Sequence, residues 1–113
     1  MRQRKKARAS NALLREWYLN VNKKHFGNRL PKDLPVVFRK LKGVAGITTF
    51  HPQTNRPLYI QINKPAHAGF STTMLTLLHE MCHVAIPHVR GHGPRFQAEM
   101  LRLAKAGAFR DWW

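Results

Sequence analysis

The stretch TTMLTLLHEMCHVAIP is the feature that most limits how this chain can fold. Its apolar residues lie on nearly every side of a helix, which predicts a central helix over residues 72–86 rather than a surface helix. Pro87 ends this helix, because proline cannot donate the next backbone hydrogen bond and disfavours helical geometry in the residue before it. Burying His79, Glu80 and His83 in such a helix is costly unless the fold gives their polar atoms partners.

The spacing of the two histidines indicates what that partner is. His79 and His83 are four residues apart, so both imidazoles project from one face of the helix and can bind a single ion. Glu80 is rotated from His79 by about 100°, which keeps its carboxylate off the ion but close to a water beside it. Zinc takes imidazole nitrogens as ligands, and the water bound to it gives the carboxylate a hydrogen-bonding partner. The pattern therefore predicts a zinc site on this helix.

A catalytic zinc site needs a third protein ligand and an open fourth position. We favour His92, because it lies between Gly91 and Gly93, where the backbone can adopt conformations that other residues avoid. His88 is the alternative, although a sharp bend must first redirect the chain after the proline that precedes it. The remaining histidines are expected to be exposed, capping or helix-end residues: His25, His51 and His67.

Two further residues near the motif have simpler interpretations. Cys82, beside His83, is expected to be a small buried core residue rather than a ligand. It is the only cysteine, which excludes an intramolecular disulfide and favours a reducing compartment. Glu99 could orient a ligand, but an exposed pair with Arg95 or Arg102 is the favoured interpretation.

The rest of the chain predicts an α+β fold. Apolar residues at helical spacing predict a helix over residues 11–26, with Ser10 as its N-cap and Gly27 as its stop. Its apolar face is expected to hold Leu13, Trp17 and Val21, with Leu14 and Tyr18 beside them. The segments VVFRK, AGITTF and LYIQI read as three strands. In LYIQI the buried face is expected to hold Leu58, Ile60 and Ile62.

The short links between these strands suggest an antiparallel sheet. A third helix is predicted from Pro94, a favoured first helical residue, to about Ala106. We expect one domain over residues 10–113, preceded by a basic arm over residues 1–9.

The charge is strongly positive and uneven. Lysine and arginine number 20 against 5 aspartates and glutamates, a formal net charge of +15. Thirteen of the 20 fall in residues 1–42, whereas residues 57–89 contain only Lys64 and Glu80 as charged residues. This distribution favours nucleic acid as a partner over anionic membrane. No apolar segment suits a bilayer span or a secretory signal, so we expect a cytoplasmic, nucleoid-associated or nuclear protein.

Two longer segments resemble the SprT-like metalloprotease family. The first is HEMCHVAIPHVRGHGPRF, and the second is the upstream pattern from Trp17 through LNVNKKHFGNRLP. The resemblance implies a zincin-like minimal protease with zinc held by His79, His83 and His92, and with Glu80 as general base. It also implies proteolysis of proteins bound or crosslinked to DNA, with DNA as activator. We expect DNA, single-stranded or irregular, to bind through the basic surface and the N-terminal arm.

Two other classes of function are compatible with part of the pattern. A non-catalytic DNA-binding protein with structural zinc would require four protein ligands, so His88 and His92 would both have to bind. A metal-dependent nuclease suits the basic charge. Such enzymes more often hold pairs of metals with carboxylates, and this chain has only 5 acidic residues.

Overall fold

The computed structural model describes residues 10–64, 70–87 and 91–110. Over these residues the chain has the expected α+β class, with three helices and one three-stranded sheet. In chain order the elements are α1 (Asn11–Phe26), β1 (Val36–Arg39), β2 (Gly46–Phe50), β3 (Pro57–Asn63), α2 (Phe70–Ala85) and α3 (Pro94–Lys105). The predicted arm over residues 1–9 lies outside the described residues. None of the described helices has both the length and the apolarity to cross a membrane.

Helix α1 begins and ends where its sequence predicts. The Ser10 side chain accepts a hydrogen bond from the backbone N–H of Leu13 at 3.1 Å. Gly27 ends the helix in the left-handed conformation, with φ 57°. The buried face matches the prediction in part: Val21 is buried as expected, but Leu14 and Tyr18 are fully buried whereas Leu13 and Trp17 are half-buried.

Polar side chains of α1 hold the segment that follows it. The side-chain amide of Asn22 donates to the carbonyl of Leu30 at 3.0 Å and accepts from the N–H of Leu30 at 3.1 Å. The hydroxyl of Tyr18 donates to the carbonyl of Pro31 at 2.6 Å, and the guanidinium of Arg15 donates to the carbonyl of Leu34 at 2.9 Å. These bonds satisfy backbone groups of a segment that has no strand or helix of its own.

The prediction of an antiparallel sheet is wrong, because the sheet is mixed. Its strand order is β1-β3-β2, with β1 parallel and β2 antiparallel to β3. The link over residues 40–45 is long enough to cross two strand spacings, roughly 10 Å, and leaves the central place to β3. Asn63, at the end of β3, fixes this link by accepting from the N–H of Leu41 and donating to the carbonyl of Val44.

Helix α2 packs on β2 and β3, as a central helix should. Leu77, Met81 and Cys82 have no exposed surface, and Ile60 and Ile62 of β3 are buried in the same core. Leu58, which we expected in that core, is 40% exposed. It lies near the irregular pairing between Thr49 and Phe50, where the alternation of the strands is interrupted. This packing brings the polar residues of α2 beside the edge strand β2.

Candidate metal centre and its cleft

Three histidines meet at one point. His79 and His83 project from α2, and His92 lies just before α3. The three pairs of ring centroids are 4.9, 5.1 and 5.1 Å apart, which describes a nearly equilateral triangle. One ring nitrogen from each residue lies within 4.8 Å of the others, and Nε2 of His79 is 3.2 Å from Nε2 of His92. The three histidines favoured from the sequence are therefore brought together.

The start of α3 determines where His92 lies. Gly91 has φ 83°, a conformation that favours glycine, and Gly93 is the extended N-cap of α3. The side-chain amide of Gln97 donates to the carbonyl of His92 at 2.8 Å, while the N–H of Gln97 bonds to the carbonyl of Gly93 at 2.9 Å. Pro94 begins the helix in a conformation that suits its first turn. The backbone of His92 is thus tied to a regular element.

The ring of Phe96 supports all three imidazoles from beneath. Its centroid lies 5.0 Å from that of His79, 4.5 Å from that of His83 and 4.8 Å from that of His92. Phe96 itself is buried in the core. Aromatic contacts of this kind limit how far each imidazole can rotate.

The surroundings favour the neutral form of two of the imidazoles. Burial lowers the pKa of His79, and the charge of neighbouring His92 lowers it further. Burial lowers the pKa of His83 to about 4, with smaller effects from His79 and His92. Neutral imidazole is the form that binds a metal ion. The lowered pKa values therefore leave these nitrogens available as ligands at neutral pH.

The donor set fits a zinc ion. Two nitrogens bound to one tetrahedral zinc at about 2.0–2.1 Å lie about 3.3 Å from each other. The 3.2 Å between the Nε2 atoms of His79 and His92 is close to that value. Three imidazoles are also a ligand set used by catalytic zinc. These three histidines could hold a metal ion.

Glu80 lies beside the histidines with its carboxylate almost enclosed. The residue is only 5% exposed, and its Oε1 accepts a hydrogen bond from the hydroxyl of Thr48 at 2.6 Å. Burial raises the pKa of Glu80, although the bond from Thr48 and the charge of His92 oppose that rise. A Cβ built on Gly46 would lie 3.1 Å from Cγ of Glu80 and 3.2 Å from its Oε2. Both distances are shorter than most contacts that a Cβ makes, so the glycine at position 46 lets this carboxylate lie close to β2.

A cleft of about 660 Å³ opens over these residues. One wall is the edge strand β2, including Gly46, Ile47 and Thr48. The opposite wall is the face of α2 that carries His79 and Glu80. The cleft therefore places an exposed strand edge, a buried carboxylate and three imidazoles around one space.

The remaining candidates from the sequence take other roles or lie outside the described residues. The latter applies to His67 and to His88, the alternative third ligand. His51 is a loop residue whose Nδ1 accepts from the N–H groups of Gln53 and Thr54, which confirms a capping role. His25 lies at the end of α1, and burial lowers its pKa.

Cys82 is a buried core residue as predicted, and Glu99 pairs with Arg102 as predicted, although the Glu99 side chain is only 14% exposed. The thiol of Cys82 is buried, its Sγ lies 3.3 Å from Sδ of Met100, and burial raises its pKa to about 12. Glu99 accepts two hydrogen bonds from Arg102, at 3.1 and 2.6 Å, and its Oε2 lies 3.7 Å from the guanidinium of Arg29. Neither residue joins the group of three histidines.

Sequence reasoning missed the residues that support the site: Gly46, Thr48, Phe96 and Gln97. Phe96 and Gln97 follow Pro94 at the start of a predicted helix, and that position hinted at a role beside His92. Thr48 had no such signal, because a threonine in a strand is ordinary and its contact with Glu80 spans 32 positions. This contact can be recognised only once the packing of β2 against α2 is known.

Fold and site together define a small α+β domain with a His-Glu-x-x-His helix, followed by a third histidine at the start of the next helix. The SprT-like family model matches residues 14–110. The chain therefore belongs to the SprT-like family. Comparison with curated proteins gives no match, and comparison with solved structures gives none either.

Proposed function

We propose that this protein is a zinc-dependent endopeptidase that cleaves proteins bound or crosslinked to DNA, in a cytoplasmic, nucleoid-associated or nuclear setting. The observation that carries the proposal is the meeting of three imidazoles with the buried carboxylate of Glu80 in one open cleft. Membership of the SprT-like family supports the same reaction class. A core of this size does not need a buried carboxylate or clustered imidazoles for its stability, and burying such polar groups costs free energy.

In this proposal His79, His83 and His92 hold the zinc ion. When bound, zinc supplies a Lewis acid that polarises the scissile carbonyl and acidifies the attacking water. The lowered pKa values of His79 and His83 mean that few protons compete for the ligand nitrogens. Phe96 and Gln97 act as positioning residues, since one supports the rings and the other holds the backbone of His92.

Glu80 is the general base. Its carboxylate takes a proton from the attacking water and then gives it to the leaving amine as the peptide bond breaks. A raised pKa suits this exchange, because a base accepts and returns a proton most readily when its pKa is near the working pH. Oε1 of Glu80 accepts the hydrogen bond from the Thr48 hydroxyl, so Oε2 is the oxygen proposed to take the proton.

The substrate backbone is proposed to lie along β2. This strand pairs with β3 on one side, and its other edge has no partner strand among the described residues. Extended peptides commonly bind such an edge as an added strand, through backbone hydrogen bonds that do not depend on side chains. A peptide bound there would run through the cleft past Glu80.

DNA is proposed to bind the basic surface. The arm over residues 1–9 holds five of the cations, and several others are exposed around the end of α1, including Lys23, Lys24 and Arg29. These side chains can neutralise phosphates, which releases counterions and makes the affinity depend on salt. A basic surface of this kind contacts the phosphate backbone of the DNA, so it can accept single-stranded or irregular DNA.

Replacing Glu80 tests the enzymatic part. In Glu80→Gln we expect zinc content to be unchanged and proteolysis of an unfolded protein to fall by about 100-fold or more. The matched control is Glu16→Gln, on the exposed surface of α1, which should behave like the original chain. If Glu80→Gln still cleaves at the original rate, Glu80 is not the base. If the original chain binds zinc and DNA but cleaves nothing, the alternative of a DNA-binding protein with structural zinc is favoured.

Deleting residues 1–9 tests the DNA-binding part. Affinity for a single-stranded oligonucleotide should fall, and the slope of log affinity against log salt should decrease by about 0.7 for each phosphate that the arm no longer neutralises. The control is replacement of Arg56 and Lys64 by neutral residues. Both cations lie outside the basic N-terminal region. An unchanged slope after the deletion would place the DNA-binding surface elsewhere.

A further inference from the structure

A second groove lies on the other side of His79 from the cleft. It measures about 720 Å³, within the range of ligand sites, and lies between α2 and the end of α3. Its apolar lining is Leu75, Met100, Leu101, Ala104 and Phe109. Leu101 is 55% exposed, the largest exposed fraction among the large apolar residues of the described chain.

The groove and the cleft share a wall. Leu75 and His79 line both, so the groove begins beside an imidazole that also faces the cleft. Gln97, which lines the groove, is the residue that holds the backbone of His92. The groove therefore borders the proposed catalytic centre.

The floor of the groove is held in place by the core. Sδ of Met100 lies 3.3 Å from Sγ of buried Cys82, and Phe109 packs against the same core. An apolar side chain that enters the groove can therefore remove apolar surface from water without rearranging Met100 or Phe109.

We infer that this groove is a subsite for a large apolar side chain of the peptide substrate, such as leucine or phenylalanine, close to the scissile bond. The inference rests on the proposed function and adds a substrate preference to it. A substrate side chain is the favoured occupant because the groove borders the cleft at Leu75 and His79, beside the proposed position of the scissile bond. Arg110, at the end of the groove, makes an acidic side chain the main competitor for the same position.

Two substitutions on α3 test the subsite. Ala104→Trp places a bulky ring in the groove, whereas Ala98→Trp makes the same change at an exposed position of that helix that lines neither cavity. The substrates are peptides of one sequence that carry leucine, phenylalanine, alanine or aspartate beside the cleaved bond. We expect the original chain and Ala98→Trp to prefer leucine or phenylalanine over alanine by about tenfold in kcat/KM. Ala104→Trp should lose that preference, so that its kcat/KM values on the leucine, phenylalanine and alanine peptides become similar.

A binding measurement separates failure of the subsite from failure of the proposed function. The fluorescently labelled leucine peptide is titrated into Glu80→Gln, with and without Ala104→Trp, and binding is followed by anisotropy. Weaker binding caused by Ala104→Trp supports the subsite even if no variant cleaves peptides. Three outcomes would overturn the subsite but leave proteolysis intact. They are cleavage without a preference for apolar residues, a preference for aspartate, and equal effects of Ala104→Trp and Ala98→Trp on the preference. Self-association abolished by Ala104→Trp would also overturn it, because a second copy would then fill the groove.

Discussion

The hydroxyl of Thr48 lies 2.6 Å from Oε1 of Glu80, so a residue of the edge strand holds the carboxylate of the central helix. Thr48 and Glu80 belong to elements joined through tertiary packing, and the bond forms where β2 and α2 meet. In the proposed enzyme the same strand would bind the substrate backbone. Movement of β2 would then alter the position of Glu80.

We expect Thr48→Val to reduce kcat without a matching change in KM. A hydrogen bond to a charged group is worth about 1.5–3 kcal/mol, so the loss should be about tenfold or more. Thr48→Ser, which keeps the hydroxyl, should restore most of the rate. Thr49→Val is the control at the next position of the strand. Equal rates for the valine and serine variants at position 48 would contradict a role for this hydrogen bond.

We expect Gly46→Ala to destabilise the protein by about 1–3 kcal/mol. The added Cβ would lie 2.8 Å from Cγ2 of Thr76, closer than real contacts allow, and 3.1 Å from Cγ of Glu80. Thr76 cannot turn away freely, because its hydroxyl donates to the carbonyl of Thr72 at 2.9 Å. Chemical denaturation of the single variant gives the cost. Adding Thr76→Ser removes the methyl group and should recover part of the stability, and strictly additive effects would refute a direct contact.

We expect zinc to stabilise the fold through the three histidines. At a zinc concentration 100 times the Kd, the gain in unfolding free energy is about 2.7 kcal/mol, and a chelator should reverse it. His92→Ala should lose most of this gain, whereas His51→Ala, in a capping loop, should keep it. Thermal unfolding with and without zinc gives the comparison. If His88→Ala loses the gain and His92→Ala keeps it, His88 is the third ligand.

We expect stability to fall above pH 10 because of Tyr18. Burial raises the pKa of its phenol well above the ordinary value of about 10, since the folded protein disfavours the charged form. The unfolded chain therefore releases this proton at lower pH, and the contribution of Tyr18 is complete below pH 10 and lost above it. Tyr18→Phe should flatten this decline but cost about 0.5–1.5 kcal/mol at neutral pH, because phenylalanine cannot donate to the carbonyl of Pro31.

The control for this pH dependence is Tyr59→Phe, at a residue that is 36% exposed. That variant should keep the decline in unfolding free energy above pH 10. If Tyr18→Phe shows the same decline as the original chain, another group is responsible.

The sequence alone was enough to predict the features that depend on neighbouring residues. The cap at Ser10 and the stop at Gly27 follow from bonds made within one helical turn. His79 and His83 share a face because the helix repeats every 3.6 residues, whatever surrounds it. The choice of His92 over His88 rested on the flanking glycines, and Gly91 indeed has the positive φ that glycine permits.

Only the tertiary structure decided the features that join distant parts of the chain. β3 lies between β1 and β2, and its residues Ile60 and Ile62 are buried there. Short links alone are compatible with this mixed sheet and with an antiparallel one. That placement makes β2 an edge strand and brings Thr48 and Gly46 against Glu80. Local hydrogen bonding and helical periodicity therefore determined the ligand-bearing helix, whereas non-local packing determined what surrounds it.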